Sequence, residues 1–349
     1  MEKALEVLKV LELLELLELL ELFYYFYLKI FLSLTMSAFH NAFRQSFIQM
    51  SAPAKLLLLI ILVLLFLLLG SVASMMLAIP IYHHDLMTLY RMMENPDAGN
   101  IGVVKFFQII QSVFLFILPA MLAAWLFSEN TFTYLKADRR ASGITLIILL
   151  VSMFIAIPML NAVTVLNAKL DLPMWLDGLE KWMREMEDGA GRLTELFLVS
   201  NSVKNLAVNF LMIAILPAIG EEFLFRGVLQ RLFIDWTKSS YVGVILAAFI
   251  FSFIHFQFYG FIPRLLLGLY FGYLMLWSGS IWVPVAGHLI NNGMAVMYYH
   301  FTVRPMGETA LDTIGTGDTG YYTLYLSVFL TSLLVGIIYL HEKRRRIST

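Results

Sequence analysis

The sequence predicts an all-α integral membrane protein with about eight transmembrane helices, and three observations carry that expectation. The chain of 349 residues is 60% hydrophobic and 14% charged, with a mean hydropathy of +0.79. A water-soluble domain of that balance would expose apolar patches larger than such domains tolerate. Apolar runs long enough to cross a hydrocarbon layer recur along the chain. Lysines and arginines gather in alternate connecting loops, the asymmetry expected of a multi-pass membrane protein.

Residues 1–35 stand apart. Glu12, Glu15, Glu18 and Glu21 recur every three residues among leucines. Three residues advance a helix by about 300°, so these glutamates wind around it and leave no continuous apolar face. The segment is expected to be a low-complexity extension ahead of Met36. Its acidic start and the lack of a small-residue cleavage site speak against a signal peptide.

Spans are expected near 56–81, 104–127, 143–166, 203–236, 241–258, 263–279, 281–300 and 321–340. The short links at Lys238–Ser240 and Ser278–Ser280 make the fourth to seventh spans antiparallel neighbours. Ahead of them, residues 167–202 carry Trp175, Leu179 and Trp182 among many charges. They read as an amphipathic helix on the outer face or as a solvated connector. The chain thus divides into N-terminal spans with that connector (36–202), a core (203–300), and a last span with a basic tail (301–349). Arg44 and Lys55 precede the first span, Lys136, Arg139 and Arg140 follow the second, and Lys343 to Arg346 end the chain. Eight spans place all of them on the cytoplasmic side, with both termini, in what is expected to be a bacterial plasma membrane.

Composition removes several classes of function. A net charge of −1 supplies no overall basic field for nucleic acid. The chain has no cysteine, which removes thiol catalysis, disulfides and thiolate metal sites.

The chemistry is concentrated in Glu221-Glu222-Phe223-Leu224-Phe225-Arg226-Gly227, inside the fourth span. Ionisable side chains are costly in hydrocarbon and mark function there by default. Glu222 and Arg226 are four residues apart, share a helix face and can pair. Glu221 projects about 100° away and is the carboxylate left free for chemistry. Pro217, four residues earlier, lacks the usual backbone donor and is expected to kink the helix. The fifth span holds Phe251 and His255; the seventh holds Gly287, His288, Asn291 and Asn292, with His288 and Asn292 on one face. Gly287 permits close helix approach. These groups can converge on one polar pocket, with Glu221 activating water and His288 and Asn292 donating to a developing oxyanion.

A Glu-Glu-x-x-x-Arg motif, then Phe-x-x-x-His, then His-x-x-x-Asn on successive spans resembles the CAAX prenyl protease type II and bacteriocin-processing family (CPBP, or Abi). The resemblance covers roughly residues 200–300. It implies a multi-helix membrane fold with a catalytic core in helices four to seven, and cleavage of peptide bonds of membrane-anchored peptides or proteins. In that scheme Glu221 and His255 activate the water, and His288 and Asn292 stabilise the oxyanion. The word metalloprotease is attached to this family, and Glu221, His255 and His288 are acceptable zinc ligands. No His-Glu-x-x-His is present, since His341-Glu342 is followed by Lys343, Arg344 and Arg345. Metal-independent glutamate catalysis is the favoured expectation, because Asn292 and Arg226 suit a hydrogen-bonded site.

Other signals have plainer readings. Gly315-Thr316-Gly317-Asp318 matches a motif of intramembrane aspartyl proteases but reads as a glycine-rich turn. His83-His84-Asp85 reads as an interfacial loop, and Lys343 to Arg346 as a topology anchor that can also meet anionic lipid. A catalytically silent scaffold or bacteriocin-immunity factor of the same fold is the alternative function. A transporter would also hide charges at mid-membrane, but the inverted repeats of that class are not visible.

Overall fold

The computed structural model describes residues 43–198, 202–302, 314–317 and 320–348. Residues 43–50 belong to one unit, in which 43–48 are helical, and the described residues from Ser51 onward form the second. The expected extension at 1–35, and Asp318 of the glycine-rich turn, lie outside the described residues.

The second unit is built from helices, with no strand among the described residues. In chain order they are α1 (Ala52–Tyr82), α2 (Leu86–Glu94), α3 (Ile101–Phe127), α4 (Gly143–Ile155) and α5 (Ile157–Ala168). There follow α6 (Asp177–Leu198), α7 (Val203–Thr237), α8 (Ser240–Phe253), α9 (Phe261–Ser278), α10 (Trp282–Thr302) and α11 (Tyr321–Ser348).

Every expected span is helical, but fewer than eight meet the length and hydropathy of a membrane crossing. Among the described residues five do, and six if α4 and α5 count as one bent span. The expected fifth span, α8, has 14 residues and is short for the hydrocarbon thickness. The expected seventh, α10, is long enough at 21 residues but is interrupted by Pro284, His288, Asn291 and Asn292. The polar groups that give α10 its interest also lower its hydropathy, whereas α8 is apolar and fails on length alone.

Breaks in the helices have local causes. α4 and α5 meet at a 47° bend. Pro158 cannot supply a helical donor at this point. The Ser327 hydroxyl of α11 fills the gap, donating to Ile155 O at 2.5 Å and accepting from Met159 N at 3.2 Å. α3 contains a π-turn, Val113–Ile117, just before Pro119. α1 turns a leucine-rich surface outward, with Leu64 and Leu68 exposed. That surface suits lipid contact.

α7 is the central element, packed against α3, α8 and α10. Leu149 and Met153 of α4, Phe271 and Leu274 of α9, Val283 of α10 and Ile338 of α11 bury a common core beside it. One end of the bundle is stitched by the 136–140 loop. Ile281 N donates to Lys136 O at 3.2 Å, Trp282 Nε1 to Ala137 O at 2.8 Å and Ser280 Oγ to Arg139 O at 2.6 Å. Arg345 of α11 donates to Arg140 O at 3.0 Å. The end of α11 and this loop therefore lie on the same side. At the other end, α6 rests Trp182 on Phe256 and Phe258, with ring centroids 6.3 and 5.5 Å away.

Candidate active site

The site begins with an irregular stretch of α7. Pro217 has no N–H for the carbonyl of Ile213, four residues back. The preceding turn, Phe210–Ile215, is wound as a π-helix. Asn292 Nδ2 on α10 donates to Ile213 O at 2.9 Å, and Asn292 Oδ1 accepts from Asn291 Nδ2 at 3.0 Å. A second π-turn, Phe223–Leu229, starts immediately after Glu222. Such turns occur preferentially at functional sites, where they reset which side chains face inward. At Gly220, a Cβ would stand 2.8 Å from Phe116 Cβ, so glycine is what lets α7 cross α3 this closely.

Adjacent carboxylates end up in unlike surroundings. Glu222 is 0% exposed and Arg226 2%. Arg226 donates through Nη1 to Glu222 Oε1 at 2.8 Å and through Nη2 to Gly268 O at 3.2 Å. Its guanidinium lies 4.5 Å from the centre of the Phe251 ring. His288 Nδ1 meets the same Glu222 oxygen at 2.8 Å. A glutamate held by a permanently charged guanidinium is a carboxylate, so His288 Nδ1–H is the donor. The His288 ring also stacks on Phe271 at 5.6 Å. A Cβ on Gly287 would come within 2.9 Å of that phenyl ring.

This arrangement leaves His288 Nε2 turned toward Glu221, 3.9 Å from Oε2. Glu221 is 8% exposed and lines a cavity of about 550 Å³ together with His255, His288 and Asn292. His255 follows the end of α8, and its Nδ1 is 2.6 Å from Phe251 O. A carbonyl only accepts, so His255 Nδ1 carries the proton and Nε2 presents a lone pair. Glu222 and Arg226 stand behind the cavity wall, and the imidazole held against both glutamates is that of His288. The cavity therefore offers a carboxylate, a lone-pair nitrogen and amide donors to whatever enters it.

Three ligands around one point are what a catalytic zinc site requires. Among the described residues, no three His, Asp or Glu side chains are grouped to hold a metal ion. Glu221, His255 and His288 share a cavity without forming such a set.

Arg264 and Asn291 are among the further polar residues that line the cavity, with Gln108, Thr164 and Thr194. Arg264 carried a readable signal, an ionisable residue in an apolar run, and Asn291 carried none beyond its neighbour. The His83-His84-Asp85 triplet is helix punctuation. His83 closes α1 in the left-handed region at φ 55°, and Asp85 caps α2 by accepting from Thr88 N at 2.8 Å.

Residues 203–294 match the model of a family described as type II CAAX prenyl endopeptidase Rce1-like. The matched stretch contains Glu221, Glu222, Arg226, His255, His288 and Asn292. No curated protein and no solved structure matches the chain.

Proposed function

We propose that the protein is an intramembrane endopeptidase in which Glu221 activates the attacking water, a reading supported by the match of residues 203–294 to the type II CAAX prenyl endopeptidase Rce1-like family. The observation that carries this reading is the division of the glutamate pair. Glu222 is occupied by Arg226 and His288, whereas Glu221 reaches the cavity with His288 Nε2 at 3.9 Å and no hydrogen bond among the described residues.

Glu221 takes a proton from water as the water oxygen attacks the peptide carbonyl carbon. Negative charge then develops on the carbonyl oxygen. Asn292 is anchored by one amide hydrogen on Ile213 O and offers the other to that oxygen. His288 shares a proton with Glu221 across their contact, and its Nε2–H is a second donor. The Glu221, Glu222, Arg226 and His288 cluster is neutral when that one proton is counted, which suits a site at membrane depth. His255, with its lone pair at Nε2, helps to orient the water. As the C–N bond breaks, the proton held by Glu221 passes to the leaving amine. The substrate is a membrane-anchored peptide or protein, and no step requires a metal.

The test is Glu221→Gln in the full chain, assayed on membrane-anchored peptides with and without prior metal removal. General acid–base effects predict a loss of roughly 10²–10⁴-fold with an unchanged melting temperature. Parent activity should survive chelation. Normal cleavage by Glu221→Gln would refute the mechanism. Activity that vanishes on chelation and returns only with zinc would reassign Glu221, His255 and His288 as ligands.

A further inference from the structure

Arg264 lies within Phe258–Ser278, a stretch long and apolar enough to cross a membrane, and it lines the same cavity as Glu221 and His288. A guanidinium at that depth ordinarily finds a carboxylate, because an unpaired charge there is costly. Arg226 follows that rule on Glu222. Arg264 forms no direct ion pair among the described residues: its hydrogen bonds both go to Gln257, and the carboxylates of Glu187 and Glu221 act on it electrostatically without bonding it. Nη1 donates to Gln257 O at 3.3 Å and Nη2 to Gln257 Oε1 at 2.6 Å. A guanidinium has five N–H donors, so about three make no hydrogen bond among the described residues.

The group is also held in place. Gln257 fixes one edge. The backbone also passes so near that a Cβ on Gly260 would stand 3.2 Å from Arg264 Nη2. Gly260 itself lines the cavity. A planar fork positioned beforehand matches a carboxylate and loses little freedom in binding one.

We propose that Arg264 is an anion subsite of this cavity, taking a carboxylate of the bound peptide. The assignment rests on the peptidase reading for its ligand class. A peptide carries carboxylates in two places, at a free chain end or on an Asp or Glu side chain. Either one satisfies the same guanidinium.

Binding and cleavage are measured separately so that the two readings can fail separately. The probe is a palmitoylated, fluorescein-labelled apolar octapeptide in three forms: free acid, C-terminal amide, and amide with one internal Asp moved along the chain. Each is bound to the full-length protein in detergent micelles, as the parent, Arg264→Gln and Arg264→Lys. Charge-assisted hydrogen bonds predict that the parent binds a carboxylate form roughly tenfold to a hundredfold more tightly than the plain amide. Arg264→Gln should lose that preference while binding the plain amide as before, and Arg264→Lys should keep part of it. Preference for the free acid assigns the chain end; preference for one Asp position assigns a side chain. Equal binding of all three forms by the parent overturns the subsite. Equal weakening of all forms in Arg264→Gln also overturns it, and returns Arg264 to a structural role. Carboxylate-selective binding without cleavage of any form would keep the subsite and refute the peptidase.

Discussion

Glu221 and Glu222 are chemically identical neighbours with opposite fates, and the difference is one of partners. Glu222 Oε1 accepts from both Arg226 Nη1 and His288 Nδ1, each at 2.8 Å. Breaking a buried ion pair by removing one charge leaves the other uncompensated, at a typical cost of about 3–5 kcal/mol. Glu222→Gln is therefore expected to lower the melting temperature of the purified protein clearly, whereas Glu221→Gln should melt like the parent. Thermal unfolding of the two variants side by side checks this. Equal melting would remove the structural role assigned to Glu222. The helical offset between the two glutamates was legible in the sequence, as was the Glu222–Arg226 spacing. That His288 closes on the same oxygen was not, because it brings together residues 66 positions apart.

At the scale of elements, α7 works because it is not a regular helix. Pro217 withholds a backbone donor, and Asn292 uses the Ile213 carbonyl as its anchor. Pro217→Ala restores an N–H that can close on Ile213 O, in competition with Asn292. Stability should hold or rise, since proline in a helix interior costs about 3 kcal/mol. Cleavage should fall, up to the roughly 10²–10³-fold expected for loss of an oxyanion donor in Asn292→Ala. Because both changes act on one contact, the double variant should be no slower than Asn292→Ala alone. Additive losses in a double-mutant cycle would show that Pro217 acts elsewhere. The kink was readable from the proline. The π-turns at Phe210–Ile215 and Phe223–Leu229 were not, since no residue spacing marks them.

For the whole molecule, the contacts of Arg345 with Arg140 O and of Ser142 with His341 tie the end of α11 to the loop before α4. The segment after α5 leaves from the opposite end of the bent α4–α5 pair. The native chain has no cysteine, so single introduced cysteines report cleanly. Asp138→Cys and Lys343→Cys should react from the same side of the membrane, and Met174→Cys, at a site 94% exposed, from the other. The positive-inside bias predicts that the shared side is cytoplasmic. Labelling of Asp138→Cys and Lys343→Cys from opposite faces would overturn the arrangement.

The sequence by itself determined the helical membrane class, the approximate positions of the helices and the three motifs. Each of these is written in local spacing, either the length of an apolar run or the four-residue period that puts side chains on one face. Only the tertiary structure decided how the polar groups are shared out. Spacing along a helix says which side chains share a face, but not which face meets which across a crossing. Gly220 and Gly287 set two of those crossings by letting Phe116 and Phe271 come close. From them follow His288 turned between two glutamates and Asn292 on the Ile213 carbonyl. The tertiary structure also sets Arg264 in the cavity wall, hydrogen-bonded to Gln257 and without a direct ion pair among the described residues.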